Sequence, residues 1–185
     1  MNKVKKYLNI TIFGEKGIPK IELIDAYIKY KKFPDKKIKK DGLSFVKVFK
    51  DGTSLKLRFY EYSDIPDKKA KDISNHHCII IIFDMTERKS FEDILDKWIK
   101  FLREIKYNNN NIILFGTKKD SNKNELPMTD IEEIDYLFQL IGIKKDFYDI
   151  GNKNENEICD LIDKLLEQSY GNAKSNMNKK DCLIF

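Results

Sequence analysis

The sequence contains no long hydrophobic run, since its longest purely apolar stretch covers only residues 78–83. A membrane-spanning helix needs about 20 such residues, so a span of this kind is excluded. Cysteine is scarce as well: the chain has three cysteines, and no two of them form a CxxC motif. This favours free thiols in a reducing compartment over a disulfide framework. The first residues are charged and no apolar segment follows them, so we expect no secretory signal.

A strong excess of one charge is also missing. The chain has 35 Lys and Arg residues against 30 Asp and Glu residues, a formal net charge of +5, and its lysines are spread along the whole sequence. A dispersed surplus of this kind is typical of a solvated surface, so nucleic acid is not an expected partner. The length of 185 residues is enough for one domain with a substantial hydrophobic core.

The apolar pattern predicts strands and helices in alternation. Six segments have the pattern of strands: residues 7–13, 43–49, 55–60, 78–83, 112–115 and 147–150. Four have the pattern of helices: residues 21–30, 90–105, 129–142 and 158–166. Asp51 and Gly52 predict a hairpin turn, and Thr129 with Glu132 predicts a helix capping box.

This order predicts an α/β fold: one three-layer domain whose six-stranded sheet is mostly parallel, with one antiparallel hairpin. We place the domain at residues 1–168 and a flexible polar and basic tail at residues 169–185. In such sheets ligands bind at the carboxyl ends of the strands. The loops that follow residues 13, 60, 115 and 150 are therefore the places to look for chemistry.

The first of these loops retains part of the phosphate-binding pattern GxxxxGK[ST]. Gly14 and Lys20 stand at the expected spacing, but Pro19 replaces the second glycine and Ile21 replaces the hydroxyl residue. Proline has no backbone N–H to donate, and isoleucine cannot bind a metal. Taken alone, the motif is weak, and its residues favour a plain strand-to-helix turn. The candidate phosphate-binding residues are Gly14, Glu15, Lys16, Gly17, Ile18, Pro19, Lys20 and Ile21.

The loop after residue 115 contains Thr117, Lys118 and Asp120. A carboxylate at this position can accept hydrogen bonds from the N1–H and the 2-amino group of guanine, a donor pair that adenine lacks. The methylene groups of the lysine can cover the plane of the base. A simple polar turn is the alternative that these residues leave open.

Residues 78–92, followed by Trp98, resemble the fourth strand and following helix of the Ras-superfamily small GTPases, closest to the Rab type. The resemblance is collinear from about residue 7 to residue 166. It implies a phosphate loop at residues 14–21, and it implies GTP or GDP as the ligand. The guanine-binding residues that it implies are Thr117, Lys118, Asp120, Asn152 and Lys153.

The departures from the family pattern concern the metal and the hydrolytic water. By the resemblance, Glu61 replaces the aspartate that supports Mg²⁺, Asp64 replaces a glycine that contacts the γ-phosphate, and Ile65 replaces the glutamine that orients the attacking water. Residues 31–43, where switch I supplies a threonine, contain no Ser or Thr. Mg²⁺ binding is therefore doubtful, no catalytic residue is assigned, and we expect GTP hydrolysis to be weak or absent.

The last four residues of the sequence, Cys182 to Phe185, have the CaaX pattern of a prenylation site, and the final phenylalanine favours a geranylgeranyl chain. Nearby lysines, Lys174, Lys179 and Lys180, would add attraction to anionic lipid. These residues predict a peripheral protein on a cytoplasmic membrane face. An accidental cysteine in a polar tail is the alternative.

Two functions remain open from the sequence. The first is a prenylated guanine-nucleotide-binding protein of the Ras/Rab type, a regulator of trafficking or signalling with impaired hydrolysis. The alternative is a nucleotide-free pseudo-GTPase that acts as a membrane-anchored protein-interaction module. A fully active GTPase fits the residue chemistry least well.

Overall fold

The computed structural model describes residues 7–34, 36–39, 42–66, 70–107, 111–118, 129–142, 146–151 and 153–181. The strands are β1 (Tyr7–Phe13), β2 (Lys37–Lys39), β3 (Gly42–Val48), β4 (Ser54–Tyr62), β5 (Cys78–Asp84), β6 (Ile112–Thr117) and β7 (Phe147–Asp149). The helices are α1 (Ile21–Lys31), α2 (Ala70–Ile73), α3 (Arg88–Asp93), α4 (Lys100–Glu104), α5 (Ile131–Ile141) and α6 (Glu155–Asp181). A π-helical segment (Ile94–Ile99) connects α3 directly to α4.

The strands form one seven-stranded sheet in the order β2-β3-β4-β1-β5-β6-β7. The β2–β3 and β3–β4 pairs are antiparallel, and every other neighbouring pair is parallel. This confirms the predicted α/β fold with a mostly parallel sheet and an antiparallel hairpin. The sheet has one strand more than the sequence predicted: β2 is a lysine-rich edge strand of three residues, and its pairing with β3 rather than its own composition defines it.

The sheet separates two hydrophobic clusters. Helices α1 and α6 cover one face, while the continuous helix from α3 to α4 and helix α5 cover the other. Strand β5, between β1 and β6, is buried at all seven positions. Its first six residues are the unbroken apolar run, which is typical of a parallel strand covered on both faces. On the second face, Trp98 stacks on Phe13, the last residue of β1, with the ring centroids 4.7 Å apart. This packing supports the point at which the first candidate loop begins.

Two turn signals differ in how well they matched the structure. The hairpin is confirmed, because β3 and β4 are joined around Asp51 and Gly52, with Gly52 at a φ of 81°. The capping box forms one residue later than predicted. Asp130 and Glu133 make it, rather than Thr129 and Glu132, because Thr129 is buried while the Asp130 side chain accepts the Glu133 N–H at 2.8 Å.

The last helix continues into the segment for which the sequence predicted a flexible tail. Helix α6 runs to Asp181, and Tyr170 packs on Phe49 with the ring centroids 4.3 Å apart. The Tyr170 hydroxyl also donates to Asp51 Oδ2 at 2.8 Å. These contacts with the hairpin turn, which a local pattern does not reveal, extend the helix beyond residue 168.

Within the described residues, helix α6 is too polar to cross a membrane, and no other helix is both long enough and apolar enough to do so.

Cys78 in β5 and Cys159 in α6 are both buried and not part of a disulfide. Each lies in the hydrophobic cluster that α1 and α6 cover, so both side chains contribute to core packing. Cys182 lies outside the described residues.

Candidate functional site

The candidate loops lie at one edge of the sheet because they follow the carboxyl ends of strands that run parallel. The loop after β1 begins at Gly14, whose N–H donates to the Tyr62 carbonyl at 3.3 Å, at the end of β4. A side chain at Gly14 would have its Cβ 2.8 Å from the backbone oxygen of Ile82 in β5. Only glycine allows this close approach, so the loop starts directly against the central strands.

Two isoleucines hold the loop by their hydrophobic contacts. Ile18 is buried, and Ile21, the first residue of α1, packs partly buried against the same cluster. Immediately before Ile18, Gly17 is exposed and has a φ of 91°, a conformation that glycine adopts without strain. The side chain at the position of the expected metal-binding hydroxyl is therefore part of the core packing.

Lys20 is the lysine of this loop, and its side chain is turned inward. The residue is only 4% exposed, and its Nζ donates to the carbonyl oxygens of Glu15 at 2.9 Å and Ile18 at 3.1 Å. Burial lowers the pKa of Lys20, and the nearby carboxylates of Glu61 and Glu22 partly oppose this effect. The ammonium group thus has two neutral acceptors of the loop itself and two acidic groups nearby.

The backbone at the start of α1 also has an internal partner. The Lys20 N–H donates to Glu22 Oε2 at 3.0 Å. A helix N-terminus attracts anions because its first N–H groups have no partner within the helix. Here a carboxylate of the same chain occupies part of that position.

The residues that are described do not fit a magnesium site. Ile21 supplies no oxygen, and Glu61 lies exposed at the end of β4. Within the described ranges, no three His, Cys, Asp or Glu side chains are grouped closely enough to hold a metal ion. Octahedral Mg²⁺ takes oxygen ligands, and in proteins it is commonly held by one or two carboxylates together with substrate phosphates. We therefore assign no chemical step to this ion.

The segment after β4 is attached to the π-helical segment. Lys97 Nζ lies 3.1 Å from Asp64 Oδ1 and donates to the Ser63 carbonyl, also at 3.1 Å. The Asp64 side chain is 93% exposed, and Ile65 beside it is 40% exposed. The apolar side chain at the usual glutamine position therefore faces solvent and offers no polar group to a water molecule.

The two candidate base-binding loops meet each other. A Cβ at Gly151 would lie 2.8 Å from Lys118 Cγ and 3.0 Å from the Lys118 backbone nitrogen. The Ile150 N–H donates to the Gly116 carbonyl at 2.8 Å, which holds the end of β7 to the end of β6. The structure thus brings the stem of Lys118 against the backbone of the second loop.

The remaining predicted base-binding residues are only partly described. Thr117 is the last residue of β6 and is half-buried, and Lys153 is exposed near the start of α6. Asp120 and Asn152 lie outside the described residues. Their role in binding guanine stays a prediction.

Sequence reasoning missed two residues of this region, Glu22 and Lys97. An acidic residue in the first turn of a helix is favourable in general, so Glu22 carries no local signal that it contacts the loop. Lys97 is one of many lysines, and its contact with Asp64 spans 33 positions in the sequence. Both contacts depend on the tertiary fold.

Comparison with known proteins identifies the family of the chain. The family model described as the Ras family matches residues 9–171 of the chain. Ras-related protein RabV of Dictyostelium discoideum is 30% identical over 137 residues, which is 71% of this chain. The match spans 58% of that relative's own length. The chain therefore belongs to the Ras family of small GTPases and is Rab-like within it.

Proposed function

We propose that this protein binds a guanine nucleotide without requiring Mg²⁺ and hydrolyses GTP poorly or not at all. The contact between Lys118 and Gly151 is the observation that carries the binding part of the proposal. This contact joins the two loops that the family uses for the base into one surface. The family membership supplies the expectation that the base is guanine.

The proposed loss of hydrolysis is supported by the residues at the positions where the family binds the metal ion and the attacking water. Ile21 packs against the core where a metal-binding hydroxyl is expected, and Ile65 stands where a glutamine would orient the attacking water. Asp64 is an exposed carboxylate where a γ-phosphate would need a hydrogen-bond donor. Without a metal ligand and a group to position water, the main sources of catalysis in this family are missing.

Nucleotide extraction from the purified full-length protein tests the binding proposal. We expect the protein to release GDP or GTP, and the variant Asp120→Ala to be purified without it, because the carboxylate is proposed to read the guanine edge. Asp96→Ala is the matched control, since Asp96 is exposed on the π-helical segment and belongs to neither of the two base-binding loops.

The proposal is overturned if the wild-type protein is purified empty and does not bind added GDP. The second candidate, a nucleotide-free interaction module, would then apply. One observation favours this alternative: the N–H and the ammonium group of Lys20 already have hydrogen-bond partners within the chain.

The proposal also includes tethering to a cytoplasmic membrane face through a lipid on Cys182, with a role in trafficking or signalling. The CaaX pattern and the nearby lysines support it, and a single lipid chain would give reversible attachment. In cells, the variant Cys182→Ser should move from the membrane fraction to the soluble fraction. If this variant stayed with the membrane to the same extent as the wild-type protein, a lipid on Cys182 would not be the anchor.

A further inference from the structure

We infer that the affinity of this site for guanine ligands depends only weakly on their number of phosphates, because the carboxylate of Glu22 occupies the start of α1 where a phosphate would bind. The inference rests on the proposed function, since it concerns the ligand of the same site. It names the ligand class as guanine nucleosides and nucleotides together, rather than di- and triphosphates alone.

Two successive backbone positions of the loop offer no free donor to a phosphate. Pro19 has no N–H, and the next N–H, that of Lys20, is donated to Glu22 Oε2 at 3.0 Å. A phosphate binding at this point would have to displace the carboxylate. The exchange replaces one charge-assisted hydrogen bond by another, so little free energy is gained from it.

The lysine of the loop is partly committed in the same way. Its Nζ donates to two carbonyl oxygens, those of Glu15 and Ile18, and the residue is almost fully buried. An ammonium group has three N–H donors, so one remains for a phosphate while these two hydrogen bonds are kept. A phosphate that drew the ammonium group out of its buried position would break them, and each broken bond would offset part of the attraction between the ammonium group and the ligand.

The charge around the loop adds to this effect. The carboxylates of Glu22 and Glu61 both lie near enough to Lys20 to act on it electrostatically. They already balance the positive charge that would attract an anion, and they repel each added phosphate. A neutral guanosine avoids this repulsion, since it needs only the base-binding loops.

The test is a series of calorimetric titrations of the full-length protein, without Mg²⁺, using guanosine, GMP, GDP and GTP as the probes. For the wild-type protein we expect the four dissociation constants to agree within about tenfold. The variant Glu22→Gln removes the competing charge, so its affinity for GDP should rise about tenfold, equivalent to the net contribution of one charged hydrogen bond. Its affinity for guanosine should stay unchanged.

The matched control is Glu133→Gln. Glu133 also accepts a backbone N–H at the start of a helix, from Asp130 at 3.4 Å, but α5 lies on the other face of the sheet from α1. This variant should bind all four ligands as the wild-type protein does. Comparing the two variants distinguishes an effect that is specific to the position of Glu22 from the general effect of removing one carboxylate.

The possible failures are distinguishable. If none of the four ligands binds, the proposed function is wrong. If GDP binds but guanosine does not, the inference alone is wrong. If guanosine binds but the wild-type protein prefers GDP to it by a thousandfold or more, the inference alone is wrong. It is also wrong if Glu22→Gln, shown to be folded by circular dichroism, leaves the ratio of the GDP and guanosine affinities unchanged. The wild-type series decides the question even where the variant does not fold.

Discussion

Replacing Trp98 with alanine should lower the free energy of unfolding by about 3–5 kcal/mol, the usual cost of removing a large buried aromatic side chain. Trp98 is 1% exposed and stacks on Phe13, which in turn meets the edge of Phe101 with the ring centroids 5.9 Å apart. Loss of the indole would leave a cavity between the continuous helix and the sheet. Urea unfolding followed by circular dichroism measures the change, since this is the chain's one tryptophan and fluorescence would lose its probe.

Tyr136→Ala provides the matched control for this prediction. Tyr136 is also an aromatic residue on a helix, but it is 61% exposed, so its removal should change the stability by no more than about 0.5 kcal/mol. Equal effects of the two variants would contradict the packing of the helix that carries Trp98.

Acidification should destabilise the protein through His76. Burial is the main cause that lowers the pKa of His76 from an ordinary value of 6.5 to about 4; the neighbouring His77 contributes in the same direction and Asp72 in the opposite one. The imidazole Nδ1 lies 2.6 Å from Thr11 Oγ1, and the ring stacks on Tyr60. Since the unfolded chain binds the proton more readily, this stability is complete above pH 6.5 and is lost as the pH falls towards 4.

Between pH 7 and pH 5, the free energy of unfolding should fall by about 2 kcal/mol because the unfolded chain binds a proton at His76. Denaturant unfolding at both pH values measures it, and the variant His76→Gln should lose less stability over the same interval. His77→Gln is the necessary second variant, because burial also lowers the pKa of His77 and the chain has only these two histidines. An unchanged pH dependence in His76→Gln would show that His76 is not buried in its neutral form.

The parts of the fold that the sequence predicted are those with strong local patterns. The apolar run of residues 78–83 became the fully buried strand β5, and the Asp51-Gly52 pair became the hairpin turn. Strand β2 and the last turns of α6 were not predicted. Both depend on contacts between distant segments, such as that of Tyr170 with Phe49, which no local pattern contains.

The same distinction between local patterns and tertiary contacts applies to the candidate site. The sequence predicted where the loops lie, because the carboxyl ends of parallel strands meet at one edge of the sheet. It identified Pro19 and Ile21 as departures from the phosphate-binding pattern. It could not predict the contact of Glu22 with the Lys20 N–H, because this contact depends on the conformation of one exposed side chain.

The affinity for GDP, measured by calorimetry in Mg²⁺ and again in EDTA, tests the central claim most directly. The claim is that base recognition persists in this protein while the metal-binding and phosphate-binding half of the site has been lost. We expect the two affinities to agree within about twofold, since no described side chain supplies the usual hydroxyl ligand. A hundredfold or greater loss of affinity in EDTA would contradict the claim.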